Sequence, residues 1–465
     1  MRLLEEYGEL VLQALAGYLE ECKRGAGPVI RLRPVEELRA ELELDRWIAG
    51  GKMTPSDLQV FLERYLAGTT RLHHPAYLGH QLAVPLLPSA LADMVNSITA
   101  NGMAVYEMGP TATAVELAVL DWMLGLVGWD RAHAGGVLTH GGSLANLTCL
   151  AAAREARCPE VKRSGLTRPL ALLAPTSAHY SVTRAAMLMG LGRDAVIEIP
   201  TDGLGVLAPE ELPATLERAR SSGREVIAVV ASACATATGL YDPLEPVGRF
   251  CQEEGLWFHV DGAHGAAALL PEEERHLMRG VELADSLVWD AHKMLGTTAL
   301  CTAALLCKGH LLERTFRSGA SYLGGDREPQ EGVDLIHRTV ECTKWPLGLR
   351  LFLNLAFLGP EGLGQQVEGL FESTRQFHRL LQERGGYACP YVPQANILCF
   401  RLEREGLDQL ELRRRLLREG NYYLTEALLR DRPHLRMVVM NPATDEATIT
   451  GLLETLELLA DKGTC

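Results

Sequence analysis

Between about residues 136 and 307 the chain repeats one pattern: a short, almost unbroken apolar run, then a longer segment with apolar residues at three- and four-residue spacing. The runs lie at 170–174, 195–199, 226–231, 256–260, 285–289 and 300–306. Short Val/Ile/Leu/Ala-rich runs read as strands, and the segments between them as helices. Polar residues do not alternate within the runs, so both faces of each strand are predicted to be buried, as in a parallel sheet covered by helices. The ends of the chain read differently. Residues 3–23 and 55–66 carry helical spacing, a long helical stretch follows Trp345, and the tail shows strands at 397–401 and 435–440 before a closing helix at 445–459. The arginine-rich stretch 411–419 reads as a solvated helix face. These patterns predict a helical segment over 1–75 that wraps a partner subunit, a large α/β domain over 76–345 and a small α/β domain over 346–465.

Composition agrees with a large enzyme-like core. The 465 residues are 47% hydrophobic and 22% charged, ample for more than one packed domain. A net charge of -14 argues against nucleic acid or an anionic membrane as a partner, since both select basic surfaces. The first residues are acidic and lack the basic region and apolar core of a signal peptide, and no uninterrupted apolar stretch reaches the length of a bilayer span. A cytoplasmic location is expected. The 11 cysteines are scattered without a Cys-x-x-Cys pair, and those in apolar runs, such as Cys149, Cys301, Cys307 and Cys399, read as buried thiols.

Two of the predicted strands end on chemistry. The run 256–260 leads into Asp261-Gly262-Ala263-His264, and the run 285–289 leads into Asp290-Ala291-His292-Lys293. Parallel sheets present ligands at the carboxyl edge of their strands, so Asp261 and Lys293 are predicted to meet there. An amine that holds an aldehyde as a Schiff base, beside a carboxylate that keeps a pyridine nitrogen protonated, is what pyridoxal 5'-phosphate (PLP) requires. Upstream, the Thr139-His140-Gly141-Gly142-Ser143-Leu144 turn opens a helical segment. Its glycines and the free amides of the helix start suit a phosphate group. His179 follows the run 170–174 and precedes a helix; it reads either as a helix cap or as an imidazole stacked on the cofactor ring. His73, His74 and His80 cluster in sequence, but no carboxylate or cysteine completes a set at ligand spacing, so no metal is expected.

Together these residues resemble the group II PLP-dependent amino acid decarboxylases, the family of glutamate, cysteine sulfinate and aromatic amino acid decarboxylases, from about His74 to the C-terminus. The resemblance implies fold type I, the aspartate aminotransferase-like architecture with a mainly parallel seven-stranded sheet, a small C-terminal α/β domain and N-terminal helices. It implies that Asp261 pairs with the pyridine nitrogen, His179 stacks on the ring, Ala263 packs beneath it and Lys293 carries the cofactor, with Gly142, Ser143, Leu144, Thr236, Asp290 and His292 around it. Gln81, in the stretch from His74 to Leu82, matches a substrate-contacting glutamine of the glutamate decarboxylase branch. Arg436, in Leu435-Arg436-Met437-Val438, matches the arginine that binds the substrate α-carboxylate, a group that guanidinium grips bidentately. The implied activity is α-decarboxylation of a small acidic or polar L-amino acid through a quinonoid intermediate, by a homodimer with the active site at its interface.

Three departures from the family stand out. Asp290-Ala291 replaces the more usual Asn-Pro. Cys234-Ala235-Thr236 stands where the family often has Gly-Thr-Thr, and Ala235 has no side-chain donor. The loop at 324–338, where the family carries a proton-donating tyrosine, contains none. Val333 aligns near that position, Tyr322 precedes the loop, and His337 is the candidate donor because imidazole titrates near neutrality. The missing tyrosine opens one alternative, decarboxylation coupled to oxidative deamination; aminotransfer is a separate one, requiring the Cα proton rather than the carboxylate to sit perpendicular to the ring. A noncatalytic binding protein of the same fold has little reason to keep Asp261, His179 and Lys293 together.

Overall fold

The structure is a computed structural model and describes residues 2–317 and 331–462. Its strands, in chain order, are β1 (Tyr77–Leu78), β2 (Gly135–Thr139), β3 (Leu170–Pro175), β4 (Val196–Ile199), β5 (Glu225–Ser232), β6 (Trp257–Asp261), β7 (Ser286–Asp290), β8 (Thr302–Leu306), β9 (Tyr387–Ala388), β10 (Ile397–Leu402), β11 (Tyr423–Leu429) and β12 (Arg432–Val438). Seven of them form one sheet in the order β2-β8-β7-β6-β5-β3-β4. The pairs from β4 through β7 are parallel, and β8 runs antiparallel to both its neighbours. This is the mainly parallel seven-stranded sheet of fold type I. Every residue of β3, β6, β7 and β8 is buried, the reason their sequences show continuous rather than alternating hydrophobicity.

Helix Gly142–Arg157 starts directly after β2 and lies against the sheet, with Ala145, Cys149, Ala152 and Ala153 almost wholly buried. Its small residues allow close approach of helix and strands. Helix Pro110–Val127 packs on β2 and β8. Its 18 residues have a mean hydropathy of 1.3 and match a bilayer span by length and composition only, but Glu116 and Asp121 interrupt the apolar run. Within the unit, its Glu116 is fully buried and pairs with the equally buried Lys344. Glu116 also accepts from the Leu138 amide of β2 at 3.0 Å.

The chain divides into two compact units at places other than the predicted ones. Residues 81–372 with 393–397 form the larger; residues 1–80, 373–392 and 398–465 form the smaller. The N-terminal segment therefore belongs with the C-terminal one. The reason is backbone pairing: β1 lies parallel to β11, with Tyr77 opposite Tyr423, and the Val29 amide donates to the Gly420 carbonyl at 2.8 Å. The small sheet has the order β1-β11-β12-β10-β9. The boundary predicted at residue 345 falls instead after Glu372, inside the helical stretch Gly348–Arg384, which is two helices joined by a kink at Gly359 (φ +69°) ahead of Pro360.

Candidate active site

The parallel register of β5, β6 and β7 brings the chemistry to one edge. Ser232 lies opposite Asp261, and Asp261 opposite Val288, so the chain leaves β6 and β7 side by side. The antiparallel β7–β8 pair places Thr302 opposite Asp290, and the Thr302 hydroxyl donates to Asp290 Oδ1 at 2.6 Å. The turn after β7 then returns Lys293 Nζ to within 3.0 Å of Asp290 Oδ2. A cavity opens over this edge, lined by Gly142, Ser143, Asn146, His179, Ser232, Cys234, Thr236, Asp261, Ala263, His264, Asp290 and Lys293.

Asp261 is nearly buried and held at both oxygens. Oδ1 accepts from the Ala263 amide at 3.2 Å and Oδ2 from Asn146 Nδ2 at 2.9 Å. His179 is the N-cap of helix Tyr180–Leu188, its side chain accepting from the Ser181 amide, and it also lines the cavity. The two readings of this residue are therefore compatible. Burial pushes its imidazole below the ordinary value, against the pull of Asp261. For Asp290, burial acts to raise the carboxyl, but the Lys293 ammonium, His292 and the Thr302 hydroxyl outweigh it and leave it below the carboxylate range.

The cavity fits PLP. Gly142 and Ser143 open the 16-residue helix that follows β2, where amides lack intrahelical partners and the helix dipole favours an anion. A Cβ on Gly142 would meet the Asp290 carboxylate at 3.2 Å, so only glycine keeps this cradle open without displacing that side chain. The amine, the carboxylate, the imidazole and the small Ala263 side chain stand around the same space.

Some predicted site residues lie elsewhere. The Leu144 amide turns back to the Gly141 carbonyl at 3.1 Å, and Leu144 does not line the cavity. His292 is buried beside it, with Nδ1 3.0 Å from the Cys301 carbonyl and Nε2 3.7 Å from Asp290 Oδ2. Gln81 is half-buried at the start of the larger unit. Arg436 is buried in the smaller, where its Nη1 donates to Thr425 Oγ1 at 3.1 Å and the Gly79 carbonyl at 3.4 Å. His337 sits on the 3-10 turn Leu335–Arg338, buried, and neither ring nitrogen has a hydrogen-bond partner among the described residues. It is not a lining residue. Tyr322 and positions 324–330 of the loop lie outside the described residues. Among the described residues no group of three His, Cys, Asp or Glu side chains is placed to hold a metal.

Sequence reading missed Asn146, Ser232, Cys234 and His264 as lining residues. Asn146 had a signal: a polar side chain one helical turn beyond Gly142, in a segment otherwise facing the core. The same holds for His259, in the middle of the apolar run of β6.

A family model described as the pyridoxal-dependent decarboxylase conserved domain matches residues 61–403. The cysteine sulfinic acid decarboxylase of Mus musculus is 32% identical over 455 residues, covering 91% of this chain and 89% of its own length. The acidic amino acid decarboxylase GADL1 of Bos taurus is 29% identical over 456 residues, covering 93% and 86%. Among solved structures, mouse CSAD matches with a TM-score of 0.89 at 28% identity, covering 97% of this chain and 98% of its own. Oryza sativa TDC with PLP and tryptamine matches in fold with a TM-score of 0.90 at 22% identity, covering 99% and 98%.

Proposed function

The chain belongs to the pyridoxal-dependent decarboxylase family, and from that premise we propose that this PLP-dependent carboxy-lyase removes the α-carboxylate of a small acidic L-amino acid at the Lys293 cavity. The observation that carries the reading is the convergence of Lys293, Asp261, His179 and the helix-start amides on one cavity at the sheet's carboxyl edge. When bound, PLP supplies an electron sink for the bond that breaks.

The residues have separate tasks. Lys293 would hold the cofactor aldehyde, and Asp261, fixed by two donors, would keep a proton on the ring nitrogen. Gly142 and Ser143 bind the phosphate, with Thr236 beside the cofactor. His179 and Ala263, which both line the cavity, would contact the cofactor ring, with burial lowering the His179 imidazole toward its neutral form. Leu144, Asp290 and His292 keep the turns around the phosphate and Lys293 in place. From the family resemblance alone, Arg436 would take the substrate α-carboxylate and Gln81 would contact the substrate. Relatives named for cysteine sulfinic acid and acidic amino acids support an acidic substrate. His337 is carried over as the proposed Cα proton donor from its place in the sequence alone, since it does not line the cavity.

The working unit is a homodimer with the active site at its interface. Supporting this, helix Leu87–Thr99 presents Leu87, Leu91, Met94, Val95 and Ile98 to solvent along one face, an apolar stripe that calls for a partner surface. A cytoplasmic location is supported by the free thiols of the described cysteines, and the acidic net charge speaks against nucleic acid and anionic membrane as partners.

The test is a panel of L-amino acids with cofactor-loaded protein, recording carbon dioxide, amine, aldehyde and peroxide together. Equimolar carbon dioxide and amine from an acidic substrate, lost in Lys293→Ala, is the expected result. Aldehyde with peroxide would redirect the assignment to oxidative deamination, and amino-group transfer without carbon dioxide to an aminotransferase. In His337→Gln the amine yield per carbon dioxide is expected to fall; an unchanged yield removes His337 from the mechanism.

A further inference from the structure

From Asn146 in the cavity lining a chain of buried polar side chains runs inward, and beyond its bond to Asp261 the decarboxylation scheme does not use it. Asn146, Ser181, His259 and Ser286 are all at most 1% exposed. Asn146 Nδ2 lies 2.9 Å from Asp261 Oδ2 and 2.8 Å from Ser181 Oγ, and its Oδ1 lies 2.9 Å from His259 Nε2. His259 Nδ1 is 2.8 Å from Ser286 Oγ, which also accepts from Trp257 Nε1 at 2.8 Å. On the other branch, Ser181 Oγ is 2.7 Å from His179 Nδ1.

Donor and acceptor rules leave one consistent assignment of the protons. An ionised Asp261 only accepts, so the amide nitrogen of Asn146 faces it, and its two hydrogens go to Asp261 and Ser181. Asn146 Oδ1 then requires a proton on His259 Nε2. The neutral His259 accepts at Nδ1 from the Ser286 hydroxyl, whose lone pair takes the Trp257 indole proton. Burial pushes the His259 imidazole down to about 4, in keeping with this neutral form. On the second branch, the Ser181 hydroxyl has accepted from Asn146, so its own proton goes to His179 Nδ1. The Ser181 amide donates to the same nitrogen at 3.3 Å. His179 Nδ1 is thereby an acceptor, and its ring proton sits on Nε2.

We infer that Asn146 is a positioning residue that joins Asp261 and His179 into one hydrogen-bonded frame, orienting the Asp261 carboxylate and, through Ser181, holding His179 as the Nε2–H tautomer. His259, Ser286 and Trp257 form the rear anchor that fixes which way the Asn146 amide points. The frame couples the group beneath the cofactor ring nitrogen to the group over the ring face, and its cofactor consequence rests on the function proposed above. A satisfied buried network of this kind specifies one arrangement because each alternative orphans a polar atom.

The test is nitrogen-15 NMR of full-length, histidine-labelled protein as purified, with the His179 signals identified by their loss in His179→Gln. Wild type is expected to show Nδ1 unprotonated and Nε2 protonated. In Asn146→Asp the Ser181 hydroxyl turns to the new carboxylate, and the His179 proton is expected to move toward Nδ1. Ser181→Ala, which deletes one hydroxyl and spares the Asn146–Asp261 bond, is expected to give a mixture of tautomers, and it decides the matter if Asn146→Asp does not fold. A wild-type His179 protonated at Nδ1, or a wild-type signature kept in the natively folded variants, overturns the inference. In parallel, PLP affinity by equilibrium dialysis is expected to weaken about ten- to hundred-fold in Asn146→Asp and less in Ser181→Ala. If wild type gains no visible band dependent on Lys293, the cofactor reading fails while the tautomer result stands.

Discussion

At the end of β7, Asp290 is an anion held below the ordinary carboxylate range; in the turn beyond β5, Asp242, just as buried, is pushed up to about 6. Hydrogen bonding does not separate them. Asp242 accepts from the Leu207 amide at 2.8 Å and the Ser232 amide at 2.7 Å, while Asp290 accepts from the Thr302 hydroxyl and Lys293. The difference is the ammonium 3.0 Å from Asp290. Desolvation is the largest influence on both carboxyls. Two neutral donors leave it dominant at Asp242, whereas a cation reverses it at Asp290. A third carboxylate, Glu116, is sealed completely with Lys344. Lys293 differs in being 19% exposed to the cavity, so the same pairing that is structural at Glu116 is open to chemistry at Asp290.

The largest effect is expected from Lys293→Ala, which removes the cofactor amine and the cation of Asp290 at once. Carbon dioxide release should fall at least about a thousandfold. The Asp290 carboxyl should rise, read from its infrared band against pH; an unmoved band would break the comparison. Next is Lys344→Ala, which strands a buried Glu116 charge. Urea unfolding should show a loss of about 3–5 kcal/mol, with most of it recovered in the double variant Glu116→Gln, Lys344→Met. A single-variant loss below about 1 kcal/mol would mean that the pair is not sealed from water.

Asp242 sharpens the comparison through pH. Its folded carboxyl lies above the unfolded value, so the native state binds this proton more tightly. Its contribution to stability is fully present below the unfolded value near 4 and is lost as pH rises through about 6. Two units correspond to about 3 kcal/mol. Relative to wild type, Asp242→Asn should therefore flatten the stability profile across that window, and parallel profiles for the two proteins would refute the assignment. The smallest effect belongs to Asp290→Asn. The Asp290 carboxylate lies against the Gly142 cradle, so neutralising it should tighten binding of the cofactor phosphate by up to about tenfold. Weaker binding by equilibrium dialysis would show that Asp290 acts chiefly through Lys293.

Much of the larger unit was legible because its signals are local. A strand buried on both faces writes its burial into consecutive residues, and β3, β5, β6, β7 and β8 all begin and end within two residues of the apolar runs at 170–174, 226–231, 256–260, 285–289 and 300–306. The edge where Asp261 and Lys293 meet followed from parallel topology, and the glycine turn from its place before a helix. The short strands β1 and β9 had no such signal: they are two-residue segments, and β1 is defined by a partner, β11, far away in sequence. The partly exposed β11 hid its register in the same way.

What the sequence by itself determined is the class of the sheet, the edge that carries the chemistry, and the family to which the Asp261, His179 and Lys293 pattern belongs. Tertiary structure alone decided that the N-terminal segment joins the C-terminal unit, that His337 stands outside the lining of the cavity, and that Asn146, Ser181, His259 and Ser286 form one network. The physical reason is range. Hydrophobic period and turn chemistry act between neighbours, whereas a hydrogen bond such as that from Asn146 to Asp261, 115 residues apart in the chain, exists only once the sheet has brought its partners within 3 Å.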